Sequence, residues 1–105
     1  MFLLAKLKSD GYQVKLRHVE AGAMLSIQRH KHRSEHWVVT SGAATVQIDE
    51  THFTLKQNES TFIAAGQLHR LSNQTKEPLL VIEVQTGKYL KGDDITRYGD
   101  EYGRL

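Results

Sequence analysis

A histidine-rich segment at residues 28–37, QRHKHRSEHW, carries the side chains best suited to chemistry. If this segment begins as a strand, Gln28 and His30 share a face because they are two residues apart. A short turn then brings Glu35 alongside on the next strand, and His69, which opens a later strand, is a fourth candidate. Two imidazole nitrogens and two oxygens suit one divalent ion such as Zn²⁺, Mn²⁺, Fe²⁺, Co²⁺ or Ni²⁺. We therefore predict a metal site formed by these four side chains.

A metal-free network of hydrogen bonds is the alternative for the same residues. The two histidines would then bond to each other inside an empty barrel, with Gln28 and Glu35 left as polar neighbours. A carboxylate that points inward with neither a metal nor a partner is energetically costly. That cost favours an occupied site.

The elements that must position these side chains are short strands. Residues 12–19 alternate, with Tyr12, Val14 and Leu16 on one face and polar side chains on the other, which is typical of a half-buried strand. Turn signals separate the further candidates, which are residues 24–30, 35–41, 44–49, 52–55, 60–64, 69–73 and 79–85. This succession of strands, about ten residues apart, predicts an all-β sandwich or barrel. No long segment has the helical period that alternating strands and helices require.

The C-terminal stretch from residue 87, GKYLKGDDITRYGDEYGRL, departs from this pattern and is rich in glycine, tyrosine and charge. We predict a short helical turn here, followed by an arm that packs across the sheet or onto a partner. The whole chain, residues 1–105, then forms a single domain with a barrel at about 10–86 and an arm at 87–105.

The composition excludes several classes of protein. A chain of 105 residues fits one domain, and the absence of cysteine excludes a disulfide framework, a thiolate zinc site and a cysteine nucleophile. The net charge of +2 is too small to indicate a nucleic-acid footprint. No run approaches the ~18 apolar residues of a membrane span, and no signal peptide is visible. We therefore expect a cytoplasmic protein with neither nucleic-acid nor membrane partners.

Two spacings in the chain resemble the two motifs of the cupin family. The first motif, G-x5-H-x-H-x3–4-E-x6-G, is matched, with glutamine in place of the first histidine, by Gly22, Gln28-Arg29-His30, Glu35 and Gly42. The second motif, P-x-G-x2-H-x3-N, is matched, with alanine in place of proline, by Ala64-Ala65-Gly66, His69 and Asn73. The resemblance covers residues 22–73 and implies a cupin-type double-stranded β-helix, which is a jelly-roll barrel.

A closer resemblance covers nearly the whole chain. QRHKHRSEHWVVTSGAATV, NESTFIAAGQLHRLSN, IEVQTGKYL and DDITRYGDEYGR resemble the C-terminal cupin of type II mannose-6-phosphate isomerases. The family window reads Q-x-H-H-H-R-x-E-H-W, from which only Lys31 departs. In bacteria a mannose-1-phosphate guanylyltransferase domain commonly precedes this cupin, but these 105 residues do not contain it, so we expect no guanylyltransferase activity. The resemblance implies a metal-dependent enzyme that interconverts mannose 6-phosphate and fructose 6-phosphate and serves polysaccharide biosynthesis.

Such a reaction needs cations for the phosphate and a carrier for the proton that moves between C1 and C2. Arg33, Lys31 and Arg70 lie near the expected mouth of the site, and arginine can hold a phosphate in a bidentate way. An ordinary solvated loop is the alternative for these cations. Glu83 or His32 is the candidate proton carrier, because a carboxylate or imidazole within hydrogen-bond reach can serve. The metal can polarise the sugar oxygens and stabilise an enediolate.

The role of Glu83 depends on how its strand is oriented. Leu80, Ile82 and Val84 form a wholly apolar face, and we expect that face to be buried. Glu83 and Gln85 lie on the other face, which in a two-sheet barrel can look into the cavity. The alternative is an outward-facing surface glutamate.

Two other functions use the same pocket. The chain could be a stand-alone sugar-binding or sensor cupin that binds a small molecule without turnover, which the departure at Lys31 favours. It could also be a small metal-dependent oxygenase, because cupins support that chemistry with related ligands. We also expect a homodimer formed through sheet edges, because a chain with one proline has few residues that block edge pairing.

Overall fold

A computed structural model describes residues 1–98, and these residues form ten β-strands and no helix. The described range therefore contains no helix long and apolar enough to cross a membrane. The strands are β1 Phe2–Ser9, β2 Tyr12–Val19, β3 Ile27–Arg29, β4 Ser34–Ser41, β5 Ala44–Ile48, β6 Thr51–Leu55, β7 Ser60–Ile63, β8 His69–Ser72, β9 Leu79–Thr86 and β10 Thr96–Tyr98. The prediction of an all-β fold is confirmed.

The strands are arranged in two five-stranded sheets. One sheet has the order β1-β2-β9-β4-β7 and the other has the order β10-β3-β8-β5-β6. All neighbouring strands run antiparallel. The chain passes from one sheet to the other at every connection between successive strands except β1–β2 and β5–β6, as in a jelly roll. The predicted double-stranded β-helix is confirmed.

The inward-facing residues change from apolar to polar along the barrel. In β9, Leu79 and Val81 are buried in the apolar core, whereas Glu83 and Gln85 on the same face are buried at the other end. In β4, which runs antiparallel to β9, the inward-facing residues also change from apolar to polar as the strand nears Glu35. The apolar end is closed by Val19, Trp37, Val39, Ala44, Val46, Leu55, Ile63, Leu71, Leu79 and Val81. The other end holds a polar cavity, and the candidate site lies there.

Strands β9 and β2 face the opposite way from what their apolar patterns indicated, with their polar rows towards this cavity. Leu80, Ile82 and Val84 are only half-buried, whereas the alternate residues of β9 are fully buried, so the expectation of a buried apolar face is wrong. In β2 the polar Gln13 is 2% exposed, and Tyr12 beside it is exposed. Both strands turn their polar rows inward because the barrel encloses polar groups at this end.

Strand β1 lies ahead of the predicted barrel and extends it. It pairs with β2 along its length and forms an edge of the sheet, and all its residues are exposed. The homodimer expected through sheet edges stays a prediction.

The C-terminal arm is only partly described. Residues 87–95 form bends and turns rather than the predicted helical turn, and β10 then pairs with β3. As far as residue 98 the arm thus joins a sheet as its edge strand instead of lying across it. The remaining part of the arm, residues 99–105, lies outside the described residues.

Two glycines with similar backbones allow a test of the packing between turns. Gly42 and Gly66 have φ angles of +87° and +89°. A Cβ at Gly42 would lie 2.5 Å from the carbonyl oxygen of Pro78, whereas a Cβ at Gly66 would meet nothing within 4 Å. We expect Gly42→Ala to lower the free energy of unfolding by about 1–3 kcal/mol more than Gly66→Ala does, because only the first adds an overpacking clash to the strain of positive φ. Urea denaturation of both variants checks this, and equal losses would contradict it.

Candidate metal centre

Three buried side chains with metal-ligating atoms meet at the polar end of the barrel. His30 directly follows β3, Glu35 lies on β4 and His69 opens β8. One ligand atom from each lies within 4.8 Å of the others, and the exposed fractions are 3%, 3% and 4%. Gln28 lies directly opposite His69 in the β3–β8 register and lines the same cavity. The structure thus brings together all four residues predicted as ligands.

The imidazole of His30 has a fixed orientation. Its Nδ1 lies 2.6 Å from the backbone carbonyl oxygen of Asp94 and must donate, since a carbonyl only accepts. Burial lowers the pKa of His30, so the ring is neutral and carries its lone pair on Nε2. That Nε2 lies 3.2 Å from Glu35 Oε2 and accepts a bond from Arg33 Nη2 at 3.1 Å. Both acceptor atoms therefore bond to the Arg33 guanidinium, which supplies the positive charge that two facing acceptors need.

The second imidazole, His69, is held in a similar way. Its Nδ1 donates to the carbonyl oxygen of Gln67 at 3.2 Å, which leaves the lone pair of Nε2 available to a metal ion. Its ring packs edge-on against Trp37, with centroids 5.5 Å apart, and lies 5.0 Å from the ring of His30. Burial lowers the pKa of His69 as well, so this ring is also neutral. Metal-binding histidines are commonly oriented through their second nitrogen in this manner.

The carboxylate of Glu35 is stabilised in its charged form. Burial alone would raise its pKa, but a hydrogen bond from Trp37 Nε1 to Oε1 at 2.9 Å and the nearby Arg33 guanidinium outweigh burial. Arg33 Nε donates to Glu35 Oε2 at 3.0 Å. The pKa of Glu35 therefore lies below its usual value, and the side chain is an anionic oxygen ligand at neutral pH.

The donor set fits a divalent ion. It offers two neutral imidazole nitrogens and one carboxylate, and Gln28 adds an amide whose Nε2 donates to Ser26 Oγ at 3.4 Å. Of the Gln28 amide atoms, only the oxygen has a lone pair that a cation can accept. Nitrogen and oxygen ligands of this kind suit zinc, manganese, iron, cobalt and nickel rather than a soft thiolate-binding ion.

The hydrogen bond from Trp37 gives a test of the carboxylate's role. Phenylalanine in place of Trp37 keeps an aromatic ring against His69 but removes the N–H that lowers the pKa of Glu35. The pKa of Glu35 should rise, so protons should compete with the metal at a higher pH. We expect Trp37→Phe to release Zn²⁺ at a higher pH than the wild type during acidification. An unchanged release midpoint would contradict this role.

A second buried carboxylate, Glu83, lines the same cavity. Its Oε1 accepts a hydrogen bond from Arg17 Nε at 2.6 Å. Burial and the charge of Glu35 raise the pKa of Glu83, and Arg17 opposes this only in part. Of the two orientations left open by the sequence, the structure has Glu83 facing the cavity, and the site contains two carboxylates whose environments shift their pKa values in opposite directions.

Positive charge dominates the rest of this cavity of about 240 Å³. Arg33 pairs with Glu35, and Arg17 pairs with Glu83. Five cationic side chains line it against two carboxylates, and they are Lys15, Arg17, Arg33, Arg70 and Arg97. The described part of the cavity therefore has an excess of positive charge that suits an anionic ligand.

Three of these cations were missed by the sequence analysis. Lys15 and Arg17 lie on the polar row of β2, and that row signals a cavity only once the barrel is known to be polar inside. Arg97 lies on β10 opposite Gln28, a pairing between distant parts of the chain that no local pattern indicates.

Three predicted residues have positions that differ from their expected roles. Lys31 and His32 are exposed and absent from the cavity lining, and the His32 ring packs edge-on against Tyr89 at 5.3 Å. Arg70 borders the cavity, but it alternates with His69 on β8, and its Nη1 contacts Met24 Sδ at 3.3 Å. The structure therefore does not bring Lys31 and His32 to the site.

Several known proteins are similar to this chain in sequence. The chain is 54% identical over 93 residues to the alginate biosynthesis protein AlgA of Pseudomonas syringae pv. tomato, covering 89% of this chain and 19% of that protein. It is 50% identical over 96 residues to the mannose-1-phosphate guanylyltransferase of Escherichia coli K12, covering 91% and 20%. The chain thus spans about a fifth of the length of these relatives.

Solved structures support the fold. A protein from Klebsiella pneumoniae with a double-stranded β-helix domain superposes with a TM-score of 0.77 at 21% identity, covering 90% of this chain and 80% of that one. Residues 5–100 match the family described as mannose-6-phosphate isomerase, C-terminal. The chain therefore belongs to the mannose-6-phosphate isomerase C-terminal family.

Proposed function

We propose that this chain is an aldose–ketose isomerase that interconverts mannose 6-phosphate and fructose 6-phosphate with one divalent metal ion. The observation that carries the proposal is that one cavity contains both the His30–Glu35–His69 cluster and the buried carboxylate of Glu83. An isomerase of this kind needs a site that activates the sugar oxygens and a base that moves a proton.

Gln28, His30, Glu35 and His69 would hold the ion, which when bound would polarise the C1 and C2 oxygens of the sugar. Glu83 in its ionised form takes the proton from C2 of mannose 6-phosphate and returns it to C1, while the hydroxyl proton on O2 moves to O1 of the same substrate. A raised pKa suits this role, because a base works best when its pKa lies near the working pH. Arg17 holds the Glu83 carboxylate in place through their 2.6 Å bond.

The excess of cations supports an anionic substrate such as a sugar phosphate. Arg17 and Arg33 are engaged by carboxylates, so Lys15 and Arg97 are the cations best placed to meet a phosphate at the cavity wall. Burial and the charge of Arg17 lower the pKa of Lys15, and a bound dianion would reverse that effect. Charge neutralisation therefore favours binding of the phosphorylated sugar over the free sugar.

Lys15→Met tests this assignment. We expect it to raise KM for mannose 6-phosphate on the order of tenfold, equivalent to about 1.4 kcal/mol, while zinc affinity stays unchanged. Lys8→Met, on the exposed strand β1, is the matched control and should leave KM unchanged. Equal KM values for the Lys15→Met protein and the wild type would remove Lys15 from phosphate binding.

Metal analysis followed by a coupled assay for fructose 6-phosphate tests the function itself. We expect one divalent ion per chain and fructose 6-phosphate formation that stops on chelation and returns with metal. Sugar phosphate binding without turnover would instead identify a sensor. An Fe²⁺ requirement with oxygen consumption would identify an oxygenase.

A further inference from the structure

The described part of the C-terminal arm is tied to the metal centre by one residue, Asp94. Its side-chain Oδ1 accepts the backbone N–H of Lys31 at 2.7 Å, and Oδ2 accepts the backbone N–H of His32 at 2.8 Å. Its own carbonyl oxygen accepts the bond from His30 Nδ1 at 2.6 Å. One residue thus contacts three consecutive residues that begin with a predicted ligand.

These three hydrogen bonds together fix the position of Asp94 relative to His30. The carboxylate anchors Asp94 to the loop that follows His30, and this anchor holds the carbonyl oxygen against the imidazole of His30. Asp94 is only 6% exposed, so water does not readily replace these bonds. On the far side of Asp94, β10 anchors the arm to β3, where Arg97 lies opposite Gln28. The arm is therefore attached both at Asp94 and, two residues further on, through β10.

We propose that Asp94 is a positioning residue that fixes the tautomer and orientation of His30 and thereby sets the metal affinity of the site. With Nδ1–H bound to the Asp94 carbonyl, Nε2 keeps its lone pair and points at Glu35. Without the carboxylate anchor, the carbonyl can move away and the ring can rotate or change tautomer. The proposal rests on the proposed function only in that this centre binds a metal.

Asp94→Ala, Asp94→Asn and a control, Asp93→Ala, test this role. Asp93 is adjacent and exposed, and its carboxylate accepts a hydrogen bond from the Tyr89 hydroxyl instead of contacting the loop. Co²⁺ is the probe, with affinity measured by calorimetry and ligand geometry by visible absorption. We expect Asp94→Ala to weaken Co²⁺ binding about 10–100-fold, as loss of an outer partner typically does. Asp94→Asn keeps one acceptor oxygen, so its Co²⁺ affinity should lie between those of Asp94→Ala and the wild type. Asp93→Ala should have the Co²⁺ affinity of the wild type.

A second readout needs no metal. Imidazole ¹⁵N spectra of the metal-free protein should show His30 as a single Nδ1–H tautomer in the wild type and as a mixture in Asp94→Ala. If Asp94→Ala does not fold, Asp94→Asn is compared in the same two measurements.

The outcomes separate this inference from the proposed function. A wild type that binds no Co²⁺ would overturn the metal site. The His30 tautomer in the wild type and in Asp94→Ala would then test, without any metal, whether Asp94 orients His30. A folded Asp94 variant with the wild-type tautomer and the wild-type Co²⁺ affinity would overturn the positioning role. An equal loss of affinity in Asp93→Ala would also overturn it, because the effect would then belong to the arm in general.

Discussion

Replacing His69 with alanine is expected to weaken zinc binding by more than about 100-fold, beyond the loss that outer partners of a ligand typically cause. His69 is buried beside Glu35 and His30, and its Nδ1 is engaged by a backbone carbonyl, so its loss removes a ligand that no neighbour replaces. Calorimetry with Zn²⁺ on the metal-free protein measures the change. His69→Gln keeps a polar side chain of similar size and serves if the alanine variant unfolds.

The control for this prediction is another histidine from the same sequence cluster. His36 is exposed on β4 and packs against Phe62 on the outer face of the sheet, with ring centroids 4.7 Å apart. His36→Ala should leave zinc affinity within about twofold of the wild type, since it lies on the face opposite Glu35. A folded His69→Ala protein with wild-type zinc affinity would contradict the proposed ligand set.

Replacing Glu83 with glutamine is expected to lower kcat about 10²–10⁴-fold, the usual contribution of a positioned acid or base. Glutamine has almost the same shape and can still accept a bond from Arg17, but it cannot take a proton from carbon. Zinc affinity should not fall, because Glu83 does not belong to the cluster of ligand atoms. Glu50→Gln, in an exposed turn, is the matched control for this charge removal. A Glu83→Gln enzyme with wild-type kcat would exclude Glu83 as the base.

The raised pKa of Glu83 also predicts how kcat depends on pH. The base must be ionised, so kcat should fall as the pH drops through the pKa of Glu83, which burial places above the ordinary value of 4.5. Arg17 lowers that pKa, so Arg17→Met should raise it further and move the acid limb of the kcat profile to higher pH. A limb that moves to lower pH, or does not move, would show that another group titrates.

The convergence of the four candidate ligands was predictable from sequence because their positions follow from strand periodicity. Gln28 and His30 share a face at a spacing of two, and Glu35 follows a turn short enough to bring the next strand alongside. The orientation of β9 and β2 was harder to predict. Apolar alternation normally marks the buried face, but this barrel buries Glu83 and Gln85 and leaves Ile82 half-buried.

Contacts between distant parts of the chain were beyond the reach of the sequence analysis. Asp94 is separated from His30 by 64 residues, and nothing local indicates that its carbonyl meets the imidazole. For the same reason Arg97 could not be placed beside Gln28. The residue type of His32 predicts a proton carrier, but the loop that Asp94 holds turns its side chain towards Tyr89.

The central claim is that one divalent ion is bound by Gln28, His30, Glu35 and His69 inside the barrel. An anomalous difference map from a crystal of the zinc-loaded protein, measured at the zinc edge, tests it most directly. We predict one strong peak within bonding distance, about 2.0–2.2 Å, of both imidazole nitrogens and the Glu35 carboxylate, with the Gln28 amide oxygen facing it. A crystal of protein that carries zinc in solution, but whose only peak lies away from these side chains, would contradict the account.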